Sequence, residues 1–126
     1  SLTCLNATDV ALIDAATDVV RTYRFDGTDW AQVGNGSPST SGGTPAITAL
    51  NDTDIAWVDT LNSTLGTYRF DGTDWQGGLG GTIGALGAPA MAALNGSDVA
   101  FIDATNDTLR TYRFNFHLGA GPNYPF

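Results

Sequence analysis

The run Thr22-Tyr23-Arg24-Phe25-Asp26-Gly27-Thr28-Asp29-Trp30 occurs again as Thr67-Tyr68-Arg69-Phe70-Asp71-Gly72-Thr73-Asp74-Trp75. It starts a third time at Thr111-Tyr112-Arg113-Phe114 and breaks off into Asn115-Phe116. Tyr23, Tyr68 and Tyr112 are spaced 45 and then 44 residues apart, and Leu5-Asn6, Leu50-Asn51 and Leu94-Asn95 keep the same spacing. Self-similarity at this period dictates a repeat architecture. The repeats run over about 1–44, 45–88 and 89–115 of one domain, with 116–126 left as a C-terminal tail.

Each repeat divides into short apolar segments separated by turn residues. The first segment is Leu2–Leu5, Ala46–Leu50 or Ala90–Leu94, and a polar turn follows at Asn6, Asn51 or Asn95. The second is Val10–Asp14, Ile55–Asp59 or Val99–Asp103. It is apolar at successive positions, as a strand buried on both sides is. The third alternates, with Tyr23 and Phe25 on one face and Thr22 and Arg24 on the other. Asp26-Gly27 and Asp71-Gly72 then signal a hairpin, with glycine at positive φ, into a fourth segment that begins at Trp30 or Trp75. Residues 34–45 and 77–84 read as Gly- and Ser-rich connectors. The third repeat has no tryptophan and no evident fourth strand.

Thirteen acidic residues, all Asp, face five basic ones, all Arg, for a net charge of −8. That balance argues against nucleic acid and against an anionic membrane surface. No apolar run approaches the ~20 residues that a membrane-spanning helix needs. Asp in place of Glu suits turns, and the scarcity of good helix formers points to an all-β chain. Cys4 is the single cysteine and is expected to be a small buried hydrophobe. Ser1 rather than Met opens the chain, as expected of a processed or partial polypeptide.

Three repeats of four strands fit either a β-propeller, one four-stranded antiparallel blade per repeat, or a β-trefoil. The doubly apolar second segment favours the propeller, because a barrel strand shows one dry and one wet face. The repeat also resembles the blades of bacterial and phage β-propellers. It is similar to the kelch-like and tectonin-like groups, in which a Tyr-bearing third strand turns through Asp-Gly into a Trp-bearing fourth. The resemblance implies blade shape and leaves function open.

Tyr23, Arg24 and Trp30, Tyr68, Arg69 and Trp75, and Tyr112 and Arg113 recur near the hairpins. Aromatic faces stack on sugar rings and Arg bonds hydroxyls, so these residues are candidate ligand sites. The competing expectation is that the rings pack between blades while the arginines pair with Asp. Asp26 with Asp29, and Asp71 with Asp74, offer oxygen atoms for calcium, but turn chemistry accounts for them without a metal. Asp14, Asp59 and Asp103 occupy matched positions, which suggests shared structure. His117 has no partner set for catalysis or zinc. Asn-x-Ser/Thr acceptors at Asn6, Asn35, Asn51, Asn62, Asn95 and Asn106 also serve as turn residues.

No catalytic residues, metal or cofactor are expected. The reading is a non-enzymatic structural or binding module outside the cell, on a virion, fibre or secreted assembly. A lectin with aromatic sugar pockets is the alternative, and a carboxylate hydrolase a third. Three blades make part of a ring, so a second copy or another subunit is expected to complete it. The tail would then reach across the junction through Tyr124 and Phe126.

Overall fold

A computed structural model describes residues 1–14, 16–34, 46–59, 62–82, 90–115 and 123–125. Among these residues every regular element is a strand. The first repeat holds β1 (Leu2–Cys4), β2 (Asp9–Asp14), β3 (Val19–Phe25) and β4 (Trp30–Val33). The second holds β5 (Ala46–Ala49), β6 (Asp54–Asp59), β7 (Thr64–Phe70) and β8 (Trp75–Thr82). The third holds β9 (Met91–Ala93), β10 (Asp98–Asp103), β11 (Thr108–Phe114) and β12 (Asn123–Pro125). They make three antiparallel four-stranded sheets whose strand order follows the chain. Strands of one repeat pair only within that repeat, which a trefoil's shared barrel would not allow.

The turns come from short side chains that bond their own backbone. Asn6 Oδ1 accepts the N–H groups of Thr8 and Asp9 at 2.9 and 3.0 Å, and Asn51 and Asn95 repeat the arrangement. Between the second and third strands, Asp18, Ser63 and Asp107 sit at φ of 57°, 52° and 53°. That left-handed conformation is one Asp and Asn tolerate better than other non-glycine residues. At the third turn Asp26 Oδ1 accepts from Thr28 and Asp29 at 2.8 and 2.9 Å, and Asp71 does the same for Thr73 and Asp74. Gly27 and Gly72 take φ of 102°, as the Asp-Gly signal requires.

Alternation along each strand gives every sheet two unlike faces. In the first sheet, Ala11, Ile13 and Val20 point toward the second sheet, where they meet Ile47, Ile55 and Trp75. The second sheet turns its other face, with Ala56, Val58 and Leu65, onto Val99, Phe101, Tyr112 and Phe114 of the third. Stacking therefore has a direction: the forward face of one sheet meets the rear face of the next. The innermost strands β1, β5 and β9 lie side by side. Hydroxyls bridge them, since Ala49 N–H donates to Thr3 Oγ1 at 3.0 Å and Ala93 N–H to Thr48 Oγ1 at 3.1 Å.

Several expectations need correction. The second strand is buried on both faces only in the middle sheet; β2 and β10 each keep one open face, because no sheet covers it. Cys4 is exposed rather than buried for the same reason, whereas its counterparts Ala49 and Ala93 pack against a preceding sheet. The third repeat does have a fourth strand. Asn123–Pro125 pairs with Tyr112–Phe114 of its own sheet, so this part of the tail does not cross to another copy. It covers an edge of unpaired N–H and C=O groups, and Pro125 can occupy it because the outer side of an edge strand needs no donor. Phe126 and His117 lie outside the described residues.

The glycine-rich run after Trp75 is not a loose connector through Thr82 but continues β8. Lack of side chains lets it run close to β7, where a Cβ at Gly78 would collide with Thr67. Residues 83 and 84, and 35–45 of the other connector, lie outside the described residues.

A Cβ at Gly27 would meet open space, so only backbone strain opposes a side chain there. Gly27→Val is expected to cost at least ~1 kcal/mol. Thermal unfolding measures this, and an unchanged midpoint would contradict the left-handed turn.

Candidate functional site

The three arginines of the recurring run are committed within their own sheets. Asp9 stands opposite Arg24 across the β2–β3 pair, and Asp54 and Asp98 stand opposite Arg69 and Arg113 in the same register. The Arg24 Nε and Nη2 groups donate to the two carboxylate oxygens of Asp9 at 2.8 and 2.7 Å. Arg69 grips Asp54 at 2.6 and 2.9 Å, and Arg113 grips Asp98 at 2.7 and 2.9 Å. This fork-to-carboxylate geometry is the strong form of the ion pair. The carboxylates are buried and the guanidinium groups half-exposed.

The electrostatics follow. The Arg24 fork holds the Asp9 carboxyl down at about 2, against the pull of burial. Arg113 holds Asp98 at about 2 in the same way. At Asp54 burial is the largest influence and pushes upward, but Arg69 and the Asn51 amide together bring the carboxyl below its usual range.

The aromatic residues divide unequally. Trp75 is only 2% exposed, packs against Phe70 at 5.1 Å and donates its Nε1 hydrogen to Thr22 Oγ1 of the first sheet at 2.8 Å. Tyr68 stacks on Trp57 at 5.4 Å, and Tyr112 on Phe101 at 5.5 Å. Burial, and secondarily the charge of Asp59, pushes the Tyr68 phenol up. These rings form the joins between sheets.

Among the described residues, only the first repeat leaves its aromatic set open. Trp30 is 52% exposed, against 2% for its counterpart Trp75. With Tyr23, Leu2, Val10 and Leu12 it lines an apolar depression of about 350 Å³. Thus the expected site rings of repeats two and three, Tyr68, Trp75 and Tyr112, pack between sheets. Arg69 and Arg113 are half-exposed and paired with Asp, and the aromatic surface at the start of the stack stays open.

A second layer of pairs escaped the sequence reading. Asp14 accepts from Arg21 Nε at 3.0 Å, and Asp103 from Arg110 Nη1 at 3.2 Å. Arg110 also lies over the rings of Phe101 and Tyr112 at 5.6 and 5.3 Å, and donates to the Tyr112 hydroxyl. In the second repeat Gly66 replaces this arginine opposite Trp57, and Asp59 keeps the amide bond from Asn62 at 3.0 Å that Asp103 also accepts from Asn106 at 2.9 Å. Aligning Arg21, Gly66 and Arg110 at the repeat spacing would have exposed the pattern. The matched carboxylates are thus tied into separate sheets. Among the described residues no cluster of three His, Cys, Asp or Glu side chains could hold a metal ion.

No family model and no curated protein matches the chain. Among solved structures it is similar to Hsv2 of Kluyvelomyces marxianus, a β-propeller protein, at 11% identity and a TM-score of 0.68. The likeness is one of fold. It covers 94% of this chain and 44% of that one, so this chain spans less than half of its neighbour's length.

Two outcomes test this layout. Trp75→Ala is expected to cost about 3–5 kcal/mol in a denaturant titration, as for other large aromatic residues removed from a core. Asp9 and Asp98 have depressed folded-state values, so their contribution to stability is complete above the unfolded value of about 4. It is lost as pH falls toward about 2. Unfolding curves between those limits should show falling stability, and a flat profile would contradict the paired state of the clamps.

Proposed function

We propose that the chain is a run of three four-stranded β-propeller blades serving as a non-enzymatic structural and binding module. One observation carries this reading: the residues best suited to chemistry are consumed in holding the sheets. Each Asp–Arg fork locks one pair of strands, and Trp75, Tyr68 and Tyr112 fill the joins. The fold likeness to a propeller protein supports the blade assignment. Kinship with kelch-like or tectonin-like blades rests on the hairpin residues alone. Display outside the cell, on a virion, fibre or secreted assembly, is part of the proposal. The acidic charge of −8 and the resemblance to bacterial and phage blades support it.

A lectin is the second reading, and the open Trp30–Tyr23 surface favours it. It would have one sugar site rather than one per repeat, since the counterparts are covered. A glycan array and a glycoside-hydrolysis panel separate the readings. The structural module should leave both blank. Glycan binding that Trp30→Ala abolishes, with the fold intact by circular dichroism, would establish the lectin; turnover on the panel would overturn both.

A further inference from the structure

The large apolar residues that the described structure leaves exposed are Leu2, Trp30, Leu94, Ile102 and Leu109. All five lie at the two ends of the stack, and each has buried counterparts inside it. Leu94, Ile102 and Leu109 of the third sheet correspond to Leu5, Ile13 and Val20, which are 8%, 7% and 0% exposed against the second sheet. They correspond equally to Leu50, Val58 and Leu65, at 8%, 0% and 0% against the third. At the other end, Leu2 and Trp30 correspond to Ile47 and Trp75, at 5% and 2%. The open forward face of the third sheet and the open rear face of the first are thus the two halves of an interface the molecule already makes twice.

We infer that the occupant of both faces is a second copy of this chain, which would cover the Trp30–Tyr23 surface and exclude a sugar from it. The third sheet of each copy stacks on the first sheet of the other. Each copy supplies one face of each kind, so two copies cover all four open faces and close a two-fold ring. Six sheets fall within the usual range of about 4–8 propeller blades, and head-to-tail contacts that close are a standard route to rings. Apolar patches of this kind on a soluble chain mark interaction sites. The internal joins also set the register. Trp75 Nε1 donates to Thr22, so Trp30 should meet Thr111, the residue of the third sheet that matches Thr22. One bond of the internal joins is lost, because Ala92 stands where Thr3 and Thr48 supply hydroxyls to the next inner strand. The apolar faces and the tryptophan hold this junction. The docking of the faces stands on packing alone; only the ring closure rests on the propeller reading.

Light scattering after size exclusion should give twice the chain mass. Trp30→Asp damages only the rear end face, and Leu109→Asp only the forward one. Each alone is expected to weaken association by at least ~30-fold, the effect of losing an interface hot spot. Both substitutions lie on open surface in the single chain, and circular dichroism checks that the fold survives. Mixing the two variants pairs the sound forward face of one with the sound rear face of the other, so dimer should reappear. A wild-type chain that is monomeric, or that grows into open polymers, overturns the proposal whatever the variants do. So does a dimer that survives one of the two substitutions, because it would be joined through like faces. A dimer that nonetheless hydrolyses glycosides would refute the functional reading and leave this one standing.

Discussion

A single β-sheet with apolar side chains on both faces cannot be stable alone, and the rest of this structure answers that constraint. Four short strands make a layer too thin to have an interior. Its core must therefore be built between layers, and the described sheets create two such cores. Because the two faces differ, one carrying Tyr and Phe and the other Ala, Val and Leu, the layers can stack in only one order. The middle sheet is satisfied on both sides, and each outer sheet on one. Recurrence of the same residues in every repeat follows from this, since each layer must fit the one before and the one after.

Charge is handled within the layers: each Asp–Arg pair among the described residues lies inside one sheet. Every Asp–Arg fork spans adjacent strands of one sheet. The choice of arginine has a physical basis: its planar fork meets both oxygens of a short Asp side chain, whereas a lysine would bring a single flexible point charge. The buried member of each pair is the carboxylate, held near the Asn turn that opens the second strand. There Asn51 and Asn95 donate their side-chain amides to Asp54 and Asp98 at 2.9 and 2.7 Å. Turn, strand register and ion pair are thereby set by one cluster per repeat.

Much of this was legible in the residues. The period of Tyr23, Tyr68 and Tyr112 placed the repeats, Asn6 and Asp26 with their counterparts marked two of the turns, and alternation separated the faces of the third strand. Other features were hidden for definite reasons. The left-handed residues Asp18, Ser63 and Asp107 share no single residue type. Glycines in β8 carry no apolar pattern, so a strand resembled a linker. Asn123–Pro125 contains a proline and no tryptophan, and is recognisable as a fourth strand only by its pairing with β11. Coverage was the deeper gap. Trp30 and Trp75 sit in matching sequence, yet one is open and the other enclosed, because burial depends on which layer lies behind them. For that reason the candidate site shrank from three aromatic sets to one.

The bonding pattern also orders events in time. The Asp–Arg forks join residues 15 positions apart, whereas the Trp75–Thr22 bond spans 53. Pairing within a sheet closes short loops, and stacking closes long ones, so hairpins should precede layers during folding. A ribosome delivers the first sheet before the partner for its forward face exists. Until the second repeat emerges, Ile13 and Val20 have nothing to pack against, and the forward face of the second sheet waits in the same way for the third. The repeated chemistry makes the hazard general, since any bare forward face can accept a rear face from a neighbouring nascent chain as well as from its own.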